Sequence, residues 1–247
     1  GLSFNDKGHF RPFFEIPEET TELPKDISDE KLTTSAQFEF YRLPFPNDIR
    51  REDEKLLLNG HTASGEAFGI KVKDAYLGAA ETLAGGYPLN PMIFFRFSDL
   101  IDAETLCVGE GESRYPAMSA VETYGSTVFG AGLSLRGEEN TPDLAGSEGS
   151  FCGKTDEPTI YLVNLDNPED PVSLQLRTGR KPGQYICNNW VGVTPSDGTL
   201  LNPATSYALI ITNGIKNWKG IPAVADKDFA EVLAGRLTPS NYDKLLT

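Results

Sequence analysis

The sequence predicts a mainly β protein organised as a sandwich of two sheets, and three observations carry that prediction. Its 24 glycines and 17 prolines, with 14 phenylalanines, suit short strands joined by many turns better than long helices. In the second half, Thr159 to Val163, Val172 to Arg177, Tyr185 to Val193 and Ser206 to Thr212 are apolar-rich runs bounded by Asn, Asp, Pro or Gly, the cadence of a sandwich. Upstream of them, Met92 to Phe97 is a short continuous apolar run, as a strand buried on both faces requires, and Ser98-Asp99 ends it.

Up to about Gln37 the chain is charged and proline-containing with little periodicity; Pro17-Glu18-Glu19-Thr20-Thr21 and Leu23-Pro24-Lys25-Asp26 read as a polar connector that wraps a surface. Alternating aromatics from Phe38 predict a strand, which Pro44 and Pro46 keep out of a sheet centre. Between Gly69 and Gly86, Val72, Tyr76, Ala80 and Leu83 recur at helical spacing, and Gly85-Gly86 lets the chain leave the helix. From about Val108 to Glu157 glycine and acid dominate, which predicts a long decorated loop with a small hairpin around Val128 to Leu135; a binding surface is expected there.

The C-terminal end reads as helical, first around Asp226 to Leu233 with Phe229, Val232 and Leu233 on one side, then from Thr238, whose hydroxyl can cap a helix starting at Pro239. The predicted organisation is an N-terminal segment with one helix docked on the sandwich (residues 1–90), the sandwich (91–225) with the insertion at about 108–157, and a helical C-terminal segment (226–247).

With 36 acidic against 22 basic residues the formal charge is -14, which repels phosphate backbones and anionic membranes and argues against nucleic-acid partners. No segment approaches the roughly 20 apolar residues of a membrane-spanning helix. The start, Gly1-Leu2-Ser3-Phe4-Asn5, lacks the basic and hydrophobic parts of a signal peptide, so any export signal or lipid anchor is expected to have been removed.

Cys107, Cys152 and Cys187 show neither zinc-ligand spacing nor a C-x-x-C pair, so one disulfide and one thiol are expected. Cys152–Cys187 is the favoured pairing, because each lies near the end of a predicted strand and the segment between reads as a hairpin; Cys107 bonded to either, or three buried thiols, are the alternatives.

Two stretches together resemble a known family. The run Phe94 to Leu106, with Phe97-Ser98-Asp99 and Asp102-Ala103-Glu104-Thr105, and the run Leu201 to Pro222, with Pro203-Ala204-Thr205-Ser206-Tyr207 before Asn213-Gly214, resemble the start and finish of bacterial Ig-like domains of the S-layer type. Leu43-Pro44-Phe45-Pro46-Asn47-Asp48 is similar to a segment near the N-terminus of bacterial virulence-factor lipases and of large envelope lipoproteins that share this module. The resemblance implies an immunoglobulin-like β-sandwich in an exported bacterial protein, with the glycine-rich insertion departing from the compact pattern. Physically, Tyr207 can bury its ring and send its hydroxyl to a backbone group at a sheet corner, while Gly214 and Gly220 permit positive-φ turns.

The lipase-like resemblance raises serine hydrolysis, but no Gly-x-Ser-x-Gly elbow is present, and the two histidines, His9 and His61, lie in a terminal tail and a polar turn. Among 36 acids no carboxylate pair can be singled out from spacing. Asp166, Asn167, Glu169 and Asp170 cluster hard oxygen ligands on one expected turn, which suits calcium, although they do not follow the EF-hand pattern and a solvated acidic turn is the competing reading. Trp190, inside an apolar strand, reads as core. Trp218, in the turn Lys216-Asn217-Trp218-Lys219-Gly220 that needs no aromatic, reads as a candidate binding surface for protein or sugar. Arg177-Thr178-Gly179-Arg180-Lys181 reads as a solvated hairpin tip.

These features together predict a non-catalytic module of a secreted or outer-envelope bacterial protein, serving adhesion, assembly or display through a protein or surface-glycan partner, with self-association as a further mode. Two other readings are an accessory N-terminal domain of a secreted lipase or esterase, and a subunit of an extracellular filament or surface layer that pairs by strand addition.

Overall fold

A computed structural model describes residues 9–16, 40–52, 55–58, 61, 72–83, 85–108, 154–155, 157–179, 186–196 and 198–236. It is mainly β. One antiparallel sheet has the order β3 (Ile93–Arg96), β7 (Trp190–Pro195), β6 (Leu174–Gly179). A second has the order β5 (Asn167–Val172), β4 (Ile160–Asn164), β8 (Tyr207–Ile211), and β1 (Arg51–Glu52) pairs with β2 (Lys55–Leu56) in a small hairpin. Among the described residues there are two α-helices, α1 (Val72–Leu83) and α2 (Lys227–Leu233).

Side-chain alternation builds the core. Ile160 and Leu162 of β4 and Leu174 and Leu176 of β6 point into one cluster with Phe95, Val191, Val193 and Ile215, against which Leu209 and Ile211 of β8 are packed; both three-stranded sheets thus contribute to a single core. In β3, Ile93 and Phe95 join that cluster while Phe94 turns the other way, and in β7 Val191 and Val193 join it while Trp190 turns away. Phe94 and Trp190 meet Phe40, Tyr41, Leu56, Leu58 and Ile186 in a second apolar cluster on the opposite face of this sheet. The unbroken apolar run around Phe94 follows from this burial on both faces. Close packing of the indole also requires a glycine at 179, where a Cβ would overlap the Trp190 ring.

Several expectations change. The aromatics at Phe40 and Tyr41 lie in a 3-10 turn, Phe40–Arg42, rather than a strand: both rings turn into the second cluster. The acidic turn expected over residues 166–170 is only the tight turn at Leu165 and Asp166, where the Asn164 side chain accepts from the Asp166 amide; Asn167 already begins β5. This strand tolerates Pro168 and Pro171 because it is an edge strand with an irregular register against β4. Helix α1 occupies the expected span, but Tyr76 and Leu83 face solvent, Leu83 at 84% exposure, while Leu77 and Ala80 pack on the second cluster. In α2, capped by Asp226, Val232 is buried whereas Leu233 is exposed. The expected hairpin at Val128 to Leu135 and the helix from Thr238 lie outside the described residues.

Residues 9–16 form a strap across the edge of β3. Backbone hydrogen bonds run from Phe13 N to Arg96 O (2.8 Å), from Ser98 N to Arg11 O (2.9 Å), from Glu15 N to Arg42 O (2.9 Å) and from Val224 N to Phe10 O (2.9 Å). Phe10 enters the main core and stacks on Phe97 with ring centroids 5.0 Å apart. Phe13 is ringed by three guanidinium groups, those of Arg42 at 4.0 Å, Arg11 at 5.3 Å and Arg96 at 5.4 Å.

In the second cluster, burial pushes the Tyr41 phenol up to about 12 against a smaller opposing pull from Arg50, and burial pushes Tyr87 up to about 12 as well. Burial also lowers Arg50 to about 10. A tyrosine whose folded value is raised contributes stability below its unfolded value, near 10, and loses it as pH rises through the folded value. Arg50 acts with the opposite sign over the same interval, one group against two. Stability is therefore expected to fall between about pH 10 and 12, and an absorbance titration at alkaline pH should find at least two of the nine tyrosines ionising only as the chain unfolds.

Candidate functional site

The two stretches that carry the resemblance, ending at Leu106 and resuming at Leu201, are far apart in sequence and meet in space. Ile101 bridges Asn217, the Asp102 amide donates to Lys216 O (2.9 Å), and the Lys216 amide donates to the Thr105 hydroxyl (3.0 Å). Their meeting point is the turn from Lys216 to Pro222. Asn217 is buried and bonds through both ends of its side chain: Nδ2 donates to Asp99 Oδ2 (3.0 Å), and Oδ1 accepts from the amides of Lys219 (3.0 Å) and Ile221 (2.9 Å). The Trp218 amide donates to Leu100 O (3.0 Å), and Gly220 supplies the positive φ, +78°, that closes the turn.

On this braced turn the Trp218 side chain is 58% exposed, with Lys219 Nζ 4.8 Å from its ring centroid. Ile221 and Val224, close by in sequence, are exposed too. An indole that contributes nothing to the core and sits on a turn fixed by its neighbours is a preorganised contact: binding through it costs little ordering entropy. On the partner stretch, Lys154 Nζ bridges Asp102 Oδ2 and Glu104 Oε2, both at 2.8 Å, and the two carboxylates hold its ammonium well above the usual lysine range.

The other expected residues fall as follows. Trp190 is core, as its strand context predicts. Tyr207 Oη accepts from the Asn202 amide (2.9 Å), the expected corner bond. Gly214 is required for space rather than for φ, because a Cβ there would approach Thr159 Cγ2 to 2.7 Å. His61 Nε2 lies 3.1 Å from Tyr41 Oη against the Phe40 ring, and His9 is exposed with its carbonyl accepting from the Ser98 hydroxyl. Of the calcium candidates, Asp166 is in the tight turn, Asn167 and Glu169 are on β5, and Asp170 is on β5 with its side chain outside the described residues. A strand spreads ligands that a closed turn would gather. Among the described residues no group of three or more His, Cys, Asp and Glu side chains could hold a metal.

The cysteine pairing differs from Cys152–Cys187. Cys107 is disulfide-bonded, and Cys187 keeps a buried thiol. Chain geometry supplies the reason: the Cys107 carbonyl accepts from the amides of Thr159 and Ile160, Val108 bridges Ile160, and the Lys154 amide reaches Glu104 O, so Cys107 runs alongside the chain that follows residue 152. Cys187 instead follows Ile186 of the second cluster. Cys152 lies outside the described residues and is the chain's remaining cysteine. Peptide mapping of unreduced protein is expected to recover Cys107 joined to Cys152, with Cys187 alkylated only after unfolding; a peptide joining Cys152 to Cys187 would contradict this.

No family model, curated protein or solved structure matches the chain. Among the described residues, no helix is long and apolar enough to cross a membrane. The N-terminal segment was expected to wrap a surface; what sequence reasoning missed is that Phe10 enters the core and Arg11 pairs with Asp226, and the signal was Phe10-Arg11-Pro12-Phe13-Phe14, an aromatic cluster in an otherwise polar tail.

Proposed function

We propose that this chain is a non-catalytic recognition module of an exported bacterial surface protein, built as an immunoglobulin-like sandwich that presents the Trp218 turn to a protein or glycan. The observation that carries the reading is the exposed indole on a turn braced by the buried Asn217 side chain and by the Trp218 amide bonded to the Leu100 carbonyl. The disulfide at Cys107 supports an oxidising compartment, and the acidic charge disfavours nucleic acid and anionic lipid as partners.

The test is depletion of labelled protein from solution by whole bacterial cells and by purified surface polysaccharide. Truncating a tryptophan at the centre of an interface costs about 2 kcal/mol or more, roughly thirtyfold in affinity. Trp218→Ala is therefore expected to weaken binding by about that factor while the thermal midpoint stays put. Equal binding by the variant, or no binding by either protein, overturns the reading. Calcium is tested in the same series: an unchanged melting temperature on adding calcium or chelator removes it from the account.

A further inference from the structure

We propose that the strap, residues 9–16, is exchangeable, and that its other occupant is a second copy of this chain, each copy's strap lying in its partner's seat. The inference rests on the strap alone and stands whether or not Trp218 binds anything.

The seat belongs wholly to the body. It consists of the β3 edge with Phe97 and Ser98, the carbonyl of Arg42, and the stretch from Val224 through α2. Its recognition of the strap is specific in shape and charge. Phe10 is 2% exposed against Phe97, Phe14 packs edge-on against Phe229 with centroids 5.2 Å apart, and Arg11 Nε meets Asp226 Oδ2 at 2.6 Å. Glu15 pairs with Arg42, and the Ile16 amide donates to Asp228 Oδ2 at 3.1 Å. A seat of this composition, once vacated, exposes apolar surface, a strand edge and the Asp226 carboxylate, and it is complementary to the same segment of another copy.

Covalent connection does not bind the strap to its own body. Residues 17–39 leave the strap at Ile16 and re-enter at Phe40, and the Glu15 amide and Arg42 carbonyl, 2.9 Å apart, lie close to both ends. Fully extended, that connection reaches on the order of 70 Å, against an expected radius of gyration of about 18 Å for a body of this length. A connection of this length between ends this close gives its own strap an effective concentration of about millimolar. Exchange therefore competes when the chain itself is that crowded, as on a densely covered surface. A reciprocal pair leaves no seat empty, so it closes.

The test mixes natural-abundance and nitrogen-15 copies of Arg11→Lys, which keeps the positive charge, at about millimolar concentration. A carbodiimide then joins the substituted amine to Asp226, and the cross-linked peptides are weighed. Mixed-isotope pairs alongside like-isotope ones are expected; like-isotope pairs alone overturn the proposal. A second arm uses R11D and D226R, each of which opposes like charges at the seat, whereas a mixed pair restores both contacts. By native mass spectrometry each should be monomeric alone and dimeric only when mixed. Equal dimerisation by either alone, or none by the mixture, contradicts exchange; where the charge variants fail to fold, the isotope arm decides.

Discussion

Phe10→Ala is expected to destabilise the chain by about 3–5 kcal/mol, the usual cost of truncating a fully buried phenylalanine. The side chain lies in the main core with Phe95, Phe97 and Ile215, and its ring stacks on Phe97 at 17° between planes. Removing it leaves a void in the main core beside Phe97, and the strap loses its deepest anchor, so the remaining backbone bonds from Phe13 and Ser98 hold a segment with less to bury. Urea unfolding checks the magnitude. Accelerated amide exchange at Phe13 and Ser98, whose amides donate across the strap, checks the location. A loss below about 1 kcal/mol would show that Phe10 is a surface side chain.

Asp226→Ala is expected to cost about 3 kcal/mol or more. Two roles converge on this buried carboxylate: Oδ2 pairs with Arg11, and Oδ1 accepts from the Asp228 amide to cap α2. Loss of the cap alone costs about 1 kcal/mol, and the rest is the mostly covered Arg11 guanidinium losing its closer counter-charge, with Glu15 at 3.8 Å remaining. Asp226→Asn keeps an acceptor for the cap and should recover that smaller part only. Equal losses for Ala and Asn would assign the whole effect to charge; no loss for either would remove the Arg11 pair from the account.

The strands were legible wherever apolar alternation or a continuous apolar run marked them, as at Ile160 to Asn164 and Ile93 to Arg96, because burial on one or both faces writes itself into the side chains. Edge strand β5 was not: Pro168 and Pro171 erase the pattern, and what allows them is its place at the sheet margin, a property of neighbours rather than of the segment. The anchoring of the wrapping N-terminal segment in the core escaped for a related reason. Phe10, Phe13 and Phe14 follow neither period, since one ring enters the core, one lies among arginines and one meets α2. Cysteine pairing depends on the alignment of Val108 with Ile160, a long-range contact that hairpin spacing cannot reveal. Trp218 was legible because its turn has no packing use for an indole, and the structure adds the bracing by Asn217 and Asp99 that holds it outward.

The most direct measurement is the indole N–H resonance of each tryptophan during titration with soluble surface glycan or the cell-surface protein that depletes the chain from solution. If the Trp218 turn is the recognition face, its signal shifts in step with occupancy and its exchange with water slows, while the buried Trp190 signal stays where it was. Saturated binding that leaves Trp218 unshifted and still exchanging would contradict the account and assign recognition to another surface.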